Sequence, residues 1–176
     1  MTTPYQFPTW TAGQDITAGQ LSSMEPMFVI TPAATTRPSV TTETADPYLS
    51  FPVVAGGVYV VEFEVAFSGL AAADISVAWI VPTGTSGFRQ CSGPGSTSSD
   101  ASADNITSRH GVHSYGAGIP YGCARNSVTL VQCFRETSAF TAGSSGSVAL
   151  AWAQNVSNAT GTVVQPGSWG RCTQLQ

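Results

Sequence analysis

Residue types able to do chemistry are few in this chain, and their spacing does not assemble a reaction. His110 and His113 stand in Ser108-Arg109-His110-Gly111-Val112-His113-Ser114-Tyr115, with Asp100 and Asp104 nearby in sequence. A metal site needs three ligands converging on one point, and an H-x-x-H on a glycine-rich loop does not fix both rings on one side. Solvated loop histidines are the expected reading. Glu62 and Glu64 alternate along a strand pattern and so point the same way, like a carboxylate pair. A glycosidase pair, however, flanks its bond from opposite sides and from different elements. Ion pairing with Arg135 or Arg171 on neighbouring strands is expected instead. No serine stands in a G-x-S-x-G elbow, Gly93-Pro94-Gly95 lacks a P-loop lysine, and no dinucleotide fingerprint follows a strand. No catalytic residue, cofactor or metal ligand is therefore expected.

Cys91, Cys123, Cys133 and Cys172 lie far apart, without a C-x-x-C or a histidine at zinc spacing. The start Met1-Thr2-Thr3-Pro4-Tyr5 has neither a basic region nor an apolar run, so a secretory leader is not expected. Reduced thiols are then the default, with a Cys91–Cys123 bridge as the alternative. The sequons Asn105-Ile106-Thr107, Asn155-Val156-Ser157 and Asn158-Ala159-Thr160 are read as coincidental without secretion.

The elements that must position these residues follow from composition and period. With 176 residues the chain has length for one well-cored domain. Charged residues are 9% of it, against about 25% in an ordinary soluble domain. There is no lysine, and Arg37, Arg89, Arg109, Arg125, Arg135 and Arg171 are scattered singly. A net charge of -4 without a basic patch argues against a nucleic-acid partner. No apolar run approaches the length of a membrane span. Gly, Ser, Thr and Ala fill the places of charges, which suits a surface covered by copies of itself or by a partner.

Residues 53–67 form the central stretch. From Tyr59 to Phe67 the odd positions read Tyr, Val, Phe, Val, Phe, and the even positions include Glu62 and Glu64. This alternation predicts a long strand with one face in a core. Ala55-Gly56-Gly57 before it supplies a turn with positive φ. Further strands are expected at Met27–Ile30, Ser39–Thr42, Tyr48–Val54, Asp74–Val81, Ser127–Glu136, Ser147–Gln154, Thr162–Val164 and Ser168–Leu175, the second and third of them edge-like. Residues 92–127 show no clear period and are expected to be an irregular, partner-contacting loop. Trp79, Trp152 and Trp169 fall in strands, where core or interface packing is the expected role. An all-β antiparallel sandwich or jelly roll is predicted over residues 26–176.

Residues 1–25 form a separate arm, in which Thr-Ala-Gly-Gln occurs twice, at 11–14 and 17–20. Thr17 can cap a helical turn running to Met24, stopped by Pro26. Trp10, Ile16, Leu21 and Met24 are apolar residues on a segment too short to bury them, so docking on a larger surface is expected.

Three places together carry a family resemblance: the arm from Phe7 to Leu21, the signature Phe51-Pro52-Val53-Val54-Ala55-Gly56-Gly57-Val58-Tyr59 leading through Ile75 to Gly84, and the ending from Val148 to Gln154 followed by Gly167-Ser168-Trp169-Gly170-Arg171. The chain resembles small virion proteins of tailed phages infecting actinobacteria, head-decoration or minor tail proteins built on a trimeric C1q/TNF-like jelly roll. That resemblance implies a homotrimer without catalytic residues, assembled in the host cytoplasm and located on the virion. Its partners would be its own copies and the major capsid protein, or tail proteins. Trp10, Ile16, Leu21 and Met24 would anchor it to the particle. Phe28, Glu62, Glu64, Arg135, Trp169 and Arg171 would lie at the trimer interface. In a tail protein, residues 92–127 would face host-surface glycans. Gly170 departs from the pattern, which has an apolar residue there.

Overall fold

The computed structural model describes residues 11–22, 25–96 and 107–175. Its elements are α1 (Ala18–Ser22), β1 (Met27–Ile30), β2 (Thr35–Arg37), β3 (Thr44–Val53), β4 (Val58–Gly69), β5 (Ile75–Ile80), β6 (Ser86–Pro94), β7 (Ser108–His113), β8 (Ile119–Tyr121), β9 (Ser127–Thr141), β10 (Gly146–Gln154), β11 (Thr162–Val164) and β12 (Trp169–Gln174). Two antiparallel sheets pack together. The larger has the order β1-β12-β4-β9-β6-β7, with β11 also on β4 and β2 on β11, and the smaller has β3-β10-β5-β8.

The pairings β1·β12, β3·β10, β4·β9 and β5·β8 are nested like the rungs of one long hairpin. Rolled so that successive rungs alternate between sheets, that hairpin is a jelly roll, the expected class. The β6–β7 hairpin interrupts the nest and widens the larger sheet beyond β9.

β4 behaves as its alternation demands: Tyr59, Val61, Phe63, Val65 and Phe67 are all buried. The turn before it places Gly56 at φ 76°, and Gly56 N–H donates to Ala142 O at 2.7 Å. Phe63 meets Trp79 edge-on at 5.0 Å and stacks with Phe51 at 5.8 Å, joining the two sheets. Such ring pairs add about 0.5–1.5 kcal/mol each beyond their buried area. The inward position of Gly170 lies against these same rings: a Cβ there would stand 2.8 Å from Phe63 and 3.1 Å from Phe51. Its departure from the expected apolar residue thus has a packing cause.

Several expected boundaries are corrected. Ser39–Thr42 is not a strand. Pro38 and Ser39, the latter at φ 55°, turn the chain between β2 and β3. β3 begins at Thr44, ahead of the expected Tyr48, and is an edge strand as anticipated. Its Asp46-Pro47 is accommodated where the β10 ladder shifts register, with Asp46 Oδ1 accepting from the N–H groups of Tyr48 and Leu49. Residues 92–127 are not wholly irregular, since they hold the end of β6 and all of β7 and β8. β7 lies at a sheet edge with no buried residue, and β8 has three residues, so neither shows a readable apolar period. Residues 97–106, with Asp100 and Asp104, lie outside the described residues.

In the arm, Thr17 caps α1 as expected, and the helix ends at Ser22. Gln20 Oε1 accepts from Thr17 N–H at 2.9 Å, which completes a capping box.

Candidate functional site

The odd residues of β4 point inward, so its even residues point outward, and the register fixes which neighbours join them. One row across the outer face of the larger sheet reads Phe28, Arg171, Glu62, Thr137, Gln90, Val112. The next reads Ile30, Trp169, Glu64, Arg135, Ser92, His110. All six residues expected at an interface, Phe28, Glu62, Glu64, Arg135, Trp169 and Arg171, lie in these two rows.

Glu62 is held from both sides. Arg171 Nη2 lies 2.9 Å from Oε2, and Arg135 Nη2 ion-pairs with Oε1. The Glu62 side chain is 6% exposed, whereas those of Arg135 and Arg171 are 55% and 45% exposed. One carboxylate is therefore desolvated beneath two guanidinium groups whose outer edges meet solvent. Glu64 stands directly across from Arg135. Two acids and two arginines make the centre of this face neutral overall.

Around that centre the face is apolar. Phe28, Ile30, Phe88 and Val112 are each 61–66% exposed, and Leu175 and Val131 are also exposed. Phe28, Val29, Ile30 and Trp169 line a depression at the β1 end. The opposite end is more polar. A cleft there is lined by Glu64, Ser92, Ser108, Arg125, Cys133 and Arg135, and the Arg109 side chain donates from Nη1 to Pro120 O at 2.8 Å.

The expected anchoring residues divide. Ile16 and Leu21 are exposed, while Trp10 and Met24 lie outside the described residues. His110 is exposed and His113 half-buried, and among the described residues no group of three or more metal-ligating side chains converges. Trp79 and Trp152 are in the core, and Trp169 is half-buried on the outer face.

All four cysteines are free. Burial pushes the Cys91 thiol up to about 11, helped by the Glu136 charge, and the Cys123 and Cys172 thiols up to about 12, with Asp74 adding to the effect at Cys123. These three are not thiolates at neutral pH. Cys133 is exposed, and its thiol too is raised, by partial burial and then by Glu64.

One charged cluster has no counterpart among the expected site residues. Arg89 and Glu136 are fully buried between the sheets. Arg89 Nη1 donates to both Glu136 oxygens at 2.8 and 2.6 Å. Nη2 donates to Val77 O at 2.9 Å and to Ala117 O, and Nε to Ser114 O at 3.2 Å. Glu136 also accepts from Trp79 Nε1 at 2.6 Å and from Tyr121 O–H at 2.7 Å. Every guanidinium N–H has an acceptor, which makes a buried pair tolerable. The Tyr121 hydroxyl is pushed far up by burial and by the adjacent carboxylate. The signal was present in the sequence, because Glu136 shares the phase of Phe134 and Phe140 along β9. A charge in phase with core residues implies a buried partner.

No protein-family model matches the chain, and no curated protein or solved structure matches it.

Proposed function

We propose that this chain is a structural protein of a phage virion, a homotrimer that decorates the capsid and is attached to it by the N-terminal arm. The virion assignment rests on the resemblance of the arm, the central signature and the ending. The observation that carries self-association is the outer face of the larger sheet. Four large apolar side chains stand about two-thirds exposed around a charge cluster that is already neutral. Burying the exposed two-thirds of each gives roughly 4–8 kcal/mol in all, at about 1.5–3 for a complete side chain. Association of two bodies costs about 4–15 kcal/mol. The patch offsets much of that cost, with the rest left to the rim buried beside it, and it is unhelpful on a monomer.

A cyclic trimer lets one such face meet the flank of the next copy and closes without leaving an open end. Compensation of Glu62 by Arg135 and Arg171 fits a face that is to be dehydrated, since a lone carboxylate there would resist burial.

The test has two parts. Light scattering at micromolar concentration and neutral pH should give three times the chain mass, and a monomer would sink the oligomer. Cryo-electron microscopy of intact virions should place hundreds of copies on the capsid. A handful at the tail would replace decoration with a tail role, in which residues 92–127 face host-surface glycans.

A further inference from the structure

We propose that the arm carries two copies of one docking element, and that its partner is a protein surface with two matching apolar pockets. This rests on the reading of the arm as the anchor. In sequence the unit is an apolar residue followed by Thr-Ala-Gly-Gln, at Trp10 to Gln14 and again, six residues later, at Ile16 to Gln20. Trp10 lies outside the described residues, and the two Thr-to-Gln boxes lie within them.

Both boxes close in the same way. Gln14 Oε1 accepts from the N–H and the hydroxyl of Thr11, each at 3.2 Å. Gln20 Oε1 accepts from the N–H of Thr17 at 2.9 Å and from its hydroxyl at 3.1 Å. The backbones that follow differ. The first box is a turn with Gly13 at φ 84° and Gln14 N–H donating to Thr11 O at 3.1 Å. The second opens α1, with Leu21 N–H donating to Thr17 O at 3.2 Å.

Helix capping accounts for the second box. It does not account for the first, which opens no helix, α1 beginning four residues further on at Ala18. What the two share is a clasp in which the glutamine oxygen takes both the N–H and the hydroxyl of the threonine, while Ile16 and Leu21 stay exposed. Such a turn can lie on an apolar surface without stranding those donors.

The chemistry of the partner follows from charge. Residues 11–22 contain one charged side chain, Asp15, and no basic one. Nucleic acid and anionic lipid would each need clustered arginines or lysines. On the proposed virion role, the neutral apolar partner is a protein surface. Six residues span at most about 20 Å, so both pockets belong to one partner subunit or to two in contact. Engaging both turns two weak contacts into one firm attachment.

The experiment uses the full-length protein added to purified particles that lack it, with occupancy measured against concentration. Deletion of residues 1–25 tests the anchor itself: full occupancy by that variant ends the anchor reading and this inference with it. Thr11→Ala with Gln14→Ala opens the first clasp, and Thr17→Ala with Gln20→Ala opens the second. Each pair should weaken attachment by a comparable factor, roughly tenfold, and all four changes by about the product. Light scattering should show the same oligomer in every variant. If one pair accounts for the whole loss and the other is neutral, the arm holds a single element and the proposal is overturned, while the anchor reading stands.

Discussion

Removing the Glu136 carboxylate is the most direct probe of what holds the two sheets in register. In Glu136→Leu the buried Arg89 guanidinium loses its counter-charge, and Trp79 Nε1 and the Tyr121 hydroxyl each lose an acceptor. Breaking a buried pair from one side costs about 3–5 kcal/mol. Each stranded neutral donor adds about 1–3 kcal/mol. The sum, about 5–11 kcal/mol, is comparable to the whole stability of a domain at about 5–15 kcal/mol. Glu136→Leu should therefore yield little folded protein. Arg89→Met with Glu136→Leu removes both charges and strands only the neutral groups, among them the carbonyls of Val77, Ser114 and Ala117. Replacing a whole buried ion pair with apolar residues of similar volume costs far less than breaking it from one side, so that double variant should recover folding relative to Glu136→Leu alone. Urea unfolding at fixed protein concentration, followed by tryptophan fluorescence, measures the difference. A loss below about 1 kcal/mol for Glu136→Leu, or a double variant less stable than the single one, would refute the reasoning.

Three further outcomes are expected. A maleimide at neutral pH should label one thiol per native chain, Cys133, and all four in denaturant, because Cys91, Cys123 and Cys172 are buried; resistance of two thiols after unfolding without reductant would reveal a disulfide. Folding raises the Cys91 thiol to about 11 and those of Cys123 and Cys172 to about 12, so the unfolded chain gives up these protons first as pH climbs. Stability should be level below about pH 8 and fall between about pH 9 and 11, by up to about 1.4 kcal/mol per pH unit for each thiol, with Tyr121 adding to the decline above about pH 10; flat alkaline stability by urea titration would contradict this. Arg135→Ala or Arg171→Ala alone should cost under about 1 kcal/mol, since each guanidinium is half-exposed and the other still holds Glu62. Both together should cost about 2–4 kcal/mol by stranding a buried carboxylate, and thermal melting that shows simple additivity would count against the shared-partner geometry.

The legible parts of the fold were those where one face is apolar and the other is not. β4 could be read almost residue by residue, because Tyr59 to Phe67 alternate without a break. β1, β10 and β12 are placed to within one or two residues by the turn residues that bound them, β10 being buried on both faces. β6 was missed because its inward positions include Gly87, Arg89, Cys91 and Gly93, a phase with two glycines and a charge in it. Such a strand packs only because the 114–121 segment brings carbonyls to Arg89 and the Tyr121 ring to Phe134, at 4.5 Å. These are long-range facts that no local window contains. The outer-face cluster was legible in part. Two glutamates on one side of a strand imply a partner, but the choice of Arg135 and Arg171 together for Glu62 depends on two separate registers, β4·β9 and β4·β12.

The nesting of the strands also sets an order of events during synthesis. Among the described strands β1 pairs with β12 alone, so the β1 end of the larger sheet cannot form until residues 169–174 have left the ribosome. Arg171 and Trp169 arrive with β12, and Phe28 and Ile30 wait unpaired from the beginning. A partly made chain therefore lacks half of the surface proposed to bind its copies, and Glu62 lacks one of its two arginines. Neighbouring nascent chains on one message have nothing complete to exchange until β12 has been made, and assembly is delayed to that point.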